Sequence, residues 1–149
     1  MPNKNTKRAK EPSGNKRTVQ SIDPKGYYKK HPSWRFNRMF LDHKWAINLE
    51  NWACFENSIL PKLKSYESQT WGQIESASKG RGAGSKSHNI DIYKLCPEAQ
   101  RELQNYNIHI DQIFSLRLSG TERIFGILSD GVLDIVWYDS KHEVCPQRR

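Results

Sequence analysis

Asp130-Gly131 separates two apolar runs in the segment FSLRLSGTERIFGILSDGVLDIVWYDSKHEVC, residues 114–145. Asp-Gly in that setting favours a two-residue turn with positive φ at both positions, whose twist matches that of antiparallel strands. Ser119-Gly120-Thr121 breaks an earlier run in the same segment. Together the two breaks predict a three-stranded antiparallel meander.

The turns also set a register. A two-residue turn at Asp130-Gly131 pairs Ser129 with Val132, Leu128 with Leu133, Gly126 with Ile135 and Ile124 with Trp137. A three-residue loop at 119–121 pairs Leu118 with Glu122, Leu116 with Ile124 and Phe114 with Gly126. Strand side chains alternate between faces. One face then carries Phe114, Leu116, Leu118, Ile124, Leu128, Leu133, Ile135 and Trp137, and is the expected core.

The same register sets Arg117 across from Arg123, and Arg123 across from Tyr138, on the other face. Directly opposed like charges destabilise a sheet. Either the pair holds an anion, or each arginine pairs with Asp134, Glu122 or Glu143. Asp139, Lys141, His142 and Glu143 follow the third strand, near the same end.

The meander resembles the C-terminal part of the RelE/ParE toxin superfamily. The shared pattern is an Arg-containing strand, a Gly-containing turn, an Arg followed by two apolar residues, a second turn, and an apolar strand ending in polar residues. It covers about residues 95–145, roughly a third of the chain. The resemblance implies a RelE/ParE-like fold and, on the RelE branch, cleavage of messenger RNA, commonly on the ribosome. The ParE branch acts on gyrase. It also implies an antitoxin protein as partner. By position, Arg123 matches the family's phosphate-binding arginine, and Arg117 is a second basic residue on that surface. The family often ends its last strand with His or Arg beside Tyr; here Tyr138 is followed by Lys141-His142-Glu143 with no further Tyr.

The rest of the chain reads as one domain of residues 31–149 behind a basic tail of residues 1–30. That tail holds nine Lys or Arg against Glu11 and Asp23, so +7 of the chain's net charge of +8 lies there. It is poor in aliphatic residues and is expected to be disordered. It either attracts phosphates without reading sequence, or only keeps the protein in solution. Residues 32–49 suggest a strand or a pair of short strands, from Trp34, Phe36, Phe40, Trp45 and Ile47. Trp52, Phe55, Ile59 and Leu63 recur at helical spacing, with a kink or break expected near Pro61. A second helix is expected within 68–76, a short strand at Asn89–Tyr93 and a helix over Pro97–Tyr106. The order of elements predicts an α+β domain, a mainly antiparallel sheet with helices packed on one face. The opposite face would be left to Arg117, Arg123 and Tyr138.

Between the helices lies KGRGAGSKSH, residues 79–88. It lacks the Walker spacing and no strand leads into it. It is either an exposed connection or a loop that folds over an anion with Lys79, Arg81, Lys86 and His88.

Cys54, Cys96 and Cys145 are odd in number, and no pair has redox or metal-ligand spacing. A reduced, cytoplasmic protein is the simplest reading. No apolar run is long enough to span a membrane and no signal-peptide pattern is present. No metal or cofactor is expected.

Two functions from different classes fit. One is a toxin-type endoribonuclease that works without a metal by 2′-hydroxyl attack. Its catalytic residues would be Arg117, Arg123, His142 and Glu143, with Lys79, Arg81, Lys86, His88, Tyr138 and Lys141 as nucleic-acid contacts. His142 is the first candidate for proton transfer, because its ordinary pKa lies near the working pH. The other function is a non-catalytic binding module on the same fold, for nucleic acid or a protein.

Overall fold

The computed structural model describes residues 25–39, 42–47, 52–77 and 86–146. Among them lies an α+β arrangement built on a five-stranded mixed sheet of order β1-β5-β4-β3-β2. The strands are β1 (Ser33–Arg35), β2 (His88–Asp91), β3 (Gln112–Arg117), β4 (Arg123–Ser129) and β5 (Val132–Asp139). The β2-β3, β3-β4 and β4-β5 pairs are antiparallel, and β1 runs parallel to β5. No helix among the described residues is long and apolar enough to cross a membrane.

The meander forms as the turn chemistry predicts. Asp130 and Gly131 have φ of 51° and 86°, both in the left-handed region that this hairpin turn needs. Ser129 pairs with Val132, Leu128 with Leu133, and Gly126 with Ile135. Across β3 and β4, Phe114 pairs with Gly126, Leu116 with Ile124, and Arg117 with Arg123.

The expected register fails beyond Gly126. Phe125 pairs with Trp137, Ile124 with Tyr138 and Arg123 with Asp139, so β5 contains one extra residue in a bulge. A bulge leaves a residue unpaired and turns the following side chains to the other face. Trp137 therefore leaves the expected core face, and Tyr138 takes its place there. Gly126 sits at the irregularity, where an added Cβ would lie 2.6 Å from the Asp134 carbonyl oxygen.

Helices cover both faces of the sheet, not one. A helical stretch runs from α1 (Trp52–Cys54) through a π-helical turn (Phe55–Ile59) into α2 (Leu60–Glu67). The wide turn lies just ahead of Pro61, which has no N–H to give to an ordinary helical ladder. Thr70 caps α3 (Trp71–Ser76) through a reciprocal pair with Gln73. Ile59, Leu63, Trp71 and Ile74 pack against Phe114, Leu116, Ile124 and Leu133. Trp52, expected on that stripe, is 53 % exposed.

The second face is equally apolar, which the expected register hid. Leu95, together with Ala99 and Leu103 of α4 (Pro97–Asn105), packs against Ile113, Phe125, Val136 and Trp137. Trp45 and Val144 complete this layer. At the Arg123 end this face gives way to polar groups, Ser115 among them.

The segment read as extended over 32–49 supplies the three-residue β1 and a bend at 42–47 that buries Trp45, Ala46 and Ile47. The strand expected at Asn89–Tyr93 begins one residue earlier and gives way to a 3-10 turn at Ile92–Lys94. Residues 25–30, read as the end of the basic tail, form a short 3-10 turn at Gly26–Lys29. Tyr27 donates to Glu75 at 3.2 Å, and the Lys30 carbonyl accepts from Trp71 N–H at 3.0 Å. The two tyrosines give this stretch the packing surface that its basic residues lack. Residues 1–24 lie outside the described residues.

Candidate functional site

Asp139 organises the site. It ends β5 fully buried, and its carboxylate accepts three backbone N–H bonds from the chain that follows. Oδ1 takes Lys141 and Glu143 at 3.3 and 3.0 Å, and Oδ2 takes Val144 at 2.9 Å. An aspartate that binds the backbone ahead of it favours a tight turn. This turn holds His142 at φ 59°, an uncommon conformation for a side chain of that size.

His142 is thereby brought to a cavity of about 250 Å³ on the α4 face. Lys86, His88, Lys94 and Arg123 line the same cavity, with the buried Ser115 among them. No described carboxylate lines it. The β2-β3 pairing sets His88 beside Ser115. The cavity is a concentration of cationic and imidazole groups, the chemistry of a site for an anion.

His142 Nδ1 is buried and has no hydrogen-bond partner among the described residues. Burial holds the imidazole below its ordinary pKa; Arg123 pushes it further down, and Asp139 opposes both. The ring is therefore neutral at pH 7, the form that can accept a proton.

Arg123 is 2 % exposed, at the back of the cavity. Its Nη1 donates to the carbonyls of Ser119 at 2.6 Å and Glu122 at 2.9 Å, and its Nη2 to Gly120 at 3.4 Å. Burial lowers its pKa and Arg117 adds to this, while Asp139 and Tyr66 oppose. A guanidinium stays charged under such a shift. Arg123 thus closes the 119–122 loop and also brings positive charge to the cavity.

The remaining expected residues lie elsewhere. Arg117 lines a neighbouring cavity of about 360 Å³ with Tyr66 and Lys62. Its Nε donates to Ser119 O at 3.2 Å, and its carbonyl accepts from Tyr66 at 2.5 Å. Glu143 accepts from Trp45 Nε1 at 3.3 Å and lies 3.7 Å from Lys44. Lys141 is exposed. Tyr138 is buried on the opposite face, where its hydroxyl donates to Glu122 at 2.5 Å and lies 3.0 Å from Cys54 Sγ. Lys79 and Arg81 fall outside the described residues.

Asp139, Ser115 and Lys94 were not among the expected site residues. Asp139 had a readable signal, an aspartate opening a polar turn at the end of a strand. Lys94 and Ser115 had none, since only the β2-β3 pairing and the 3-10 turn bring them to His142.

Comparison of the chain with protein-family models, with curated proteins and with solved structures gives no match.

Proposed function

We propose that the protein is a RelE-like endoribonuclease whose site is the cavity between His142 and Lys94. The observation that carries this reading is a neutral imidazole set among cationic groups with no described carboxylate on the same wall. Such a set meets the needs of RNA cleavage by its own ribose. Neutral His142 takes the proton of a 2′-hydroxyl, and the oxygen attacks the adjacent phosphorus. The bond to the 5′ oxygen breaks, and that oxygen takes a proton from the imidazole of His88. The products are a 2′,3′-cyclic phosphate and a 5′-hydroxyl. Lys86, Lys94 and the charge of Arg123 stabilise the negative charge that gathers on phosphorus, where fixed cations are most useful. The route requires no metal. Ribosomal messenger RNA as substrate and an antitoxin partner belong to the same reading.

A second reading, a non-catalytic nucleic-acid module, draws on the bonds from Arg123 to three carbonyls, which turn its donors toward the loop. One experiment separates the two. End-labelled single-stranded RNA is incubated, with and without ribosomes and with a chelator, with the parent and with His142→Asn. Cyclic-phosphate ends from the parent alone support the enzyme. Binding without cleavage by either protein supports the module. No binding of RNA by the parent overturns both.

A further inference from the structure

Tyr93 is 72 % exposed, the most open of the large side chains that carry apolar surface among the described residues. An exposed aromatic ring on a loose loop would mean little, but this one stands on a braced turn. Ile92 N–H donates to Asp111 O at 3.0 Å, and Leu95 N–H to Ile92 O at 3.1 Å. Gln100 Nε2 binds the carbonyls of Tyr93 and Leu95 at 3.4 and 2.9 Å. Leu95 is buried in the α4 core, and Cys96 N–H is tied to Val144 O at 2.8 Å, beside the His142 turn. The backbone that carries the ring is thus already ordered, so a ligand would not have to order it.

The next residue joins the ring to the cavity. Lys94 lines the cavity, and its Nζ lies 5.8 Å from the centre of the Tyr93 ring. The same ammonium is 3.6 Å from Asp91, whose carboxylate also accepts from Gln112 at 2.9 Å. One cation therefore stands between an open aromatic face and a group of phosphate-binding side chains. Aromatic faces beside basic grooves are how single-stranded nucleic acids are held, because every base has a face to stack while the backbone is held by charge.

We infer that Tyr93 is a stacking platform for an unpaired base of single-stranded RNA, next to the phosphate that occupies the cavity. This rests on the proposed function and gives it a substrate form: an unpaired strand, not a duplex, whose bases are stacked on one another. The tyrosine positions the strand; the chemistry stays with the cavity.

The test compares two probes on the full chain by fluorescence anisotropy: a short single-stranded RNA, and inorganic polyphosphate, which has charge but no bases. The variants are Tyr93→Ala, Tyr93→Trp, and Lys86→Ala with Lys94→Ala together. Tyr93→Ala is expected to weaken the RNA roughly 5- to 100-fold and leave polyphosphate unchanged, with Tyr93→Trp restoring the RNA. The double lysine variant is expected to weaken both probes. If Tyr93→Ala leaves RNA affinity unchanged while the lysine variant lowers it, the platform is refuted and the cavity reading stands; the exposed ring then serves another partner, such as a protein. Equal loss of both probes in Tyr93→Ala would show that the ring acts only through the turn, and would also refute the platform. If the parent binds neither probe, cavity and platform fall together.

Discussion

Arg117 and Arg123 face each other across β3 and β4, and both donate to the same carbonyl oxygen, that of Ser119. The opposed charges are relieved by a shared acceptor at the loop that joins their strands. From the sequence, the pair was expected either to hold an anion or to pair with Asp134, Glu122 or Glu143. The structure gives both arginines a carbonyl acceptor in the loop. Arg123→Ala leaves the Gly120 and Glu122 carbonyls without a charged donor and should destabilise the domain by about 2–3 kcal/mol. Arg123→Lys should recover only part of this, because an ammonium lacks the fork that spans the loop. Urea unfolding of the parent and both variants measures it; an Arg123→Ala midpoint equal to the parent's would show that the loop does not depend on the guanidinium.

Gly131 has φ 86°, and an added Cβ would lie 3.1 Å from both Cβ and Cδ of Lys30. Its carbonyl also accepts from Trp71 Nε1 at 2.8 Å and from Ser33 N–H at 3.2 Å, which ties β1 and α3 to the hairpin. Gly131→Val should cost at least about 1–2 kcal/mol from backbone conformation alone. A thermal melt checks this.

Gly126 is a different case, because its backbone is ordinary and the obstacle is the Asp134 main chain at 2.6 Å. Main chain in a central strand pair cannot give way as a lysine side chain can. Gly126→Ala should therefore destabilise by about 1–3 kcal/mol, and the strain falls on the bulge that sets the faces of Trp137 and Tyr138. Near-ultraviolet circular dichroism of the variant, which reports on packed aromatic rings, should change along with the melt.

Asp139→Asn tests the turn behind the site. The carboxylate offers both oxygens to N–H donors, whereas an amide offers one oxygen and adds a donor that faces a backbone N–H. The variant should lose stability and also lose RNA affinity or cleavage, as His142 is released from its position. Stability loss with unaltered RNA behaviour would separate the turn from the site.

The pH response of His142 follows from the direction of its shift. Its folded-state pKa lies below the ordinary value, so between about 6.5 and that lower value the unfolded chain binds the proton more readily. Stability is therefore full above about pH 6.5 and falls as the pH drops through the folded value. His142→Asn removes this component and suits the left-handed backbone at φ 59°, so it should be less acid-sensitive than the parent. On its acid limb, cleavage by the parent should rise with pH through a midpoint below the ordinary histidine value, as His142 loses its proton. The variant should show little activity at any pH.

The meander was legible because its information is local. Asp130-Gly131 needs a conformation few dipeptides accept, and strict alternation on either side set which residues share a face as far as Gly126. The helices at Trp71–Ser76 and Pro97–Asn105 were legible for the same reason, through the shared face of Trp71 and Ile74 and a proline in the first turn. Arg123 was picked out by register and resemblance, His142 by its place after the third strand, and Lys86 and His88 by the basic glycine loop; the fold brings these four to one cavity. What only tertiary structure decided depends on contacts between distant segments. The bulge in β5 lets Trp137 meet Trp45, at a ring separation of 5.2 Å, while Tyr138 reaches Cys54 and Glu122 on the other side. No pattern within β5 shows that choice, since Trp137 and Tyr138 could each fill either face. Placing α4 on the second face, and Lys94 beside His142, likewise required the pairing of β2 with β3. Periodicity specifies which side chains lie together on one element, but not which other element covers them.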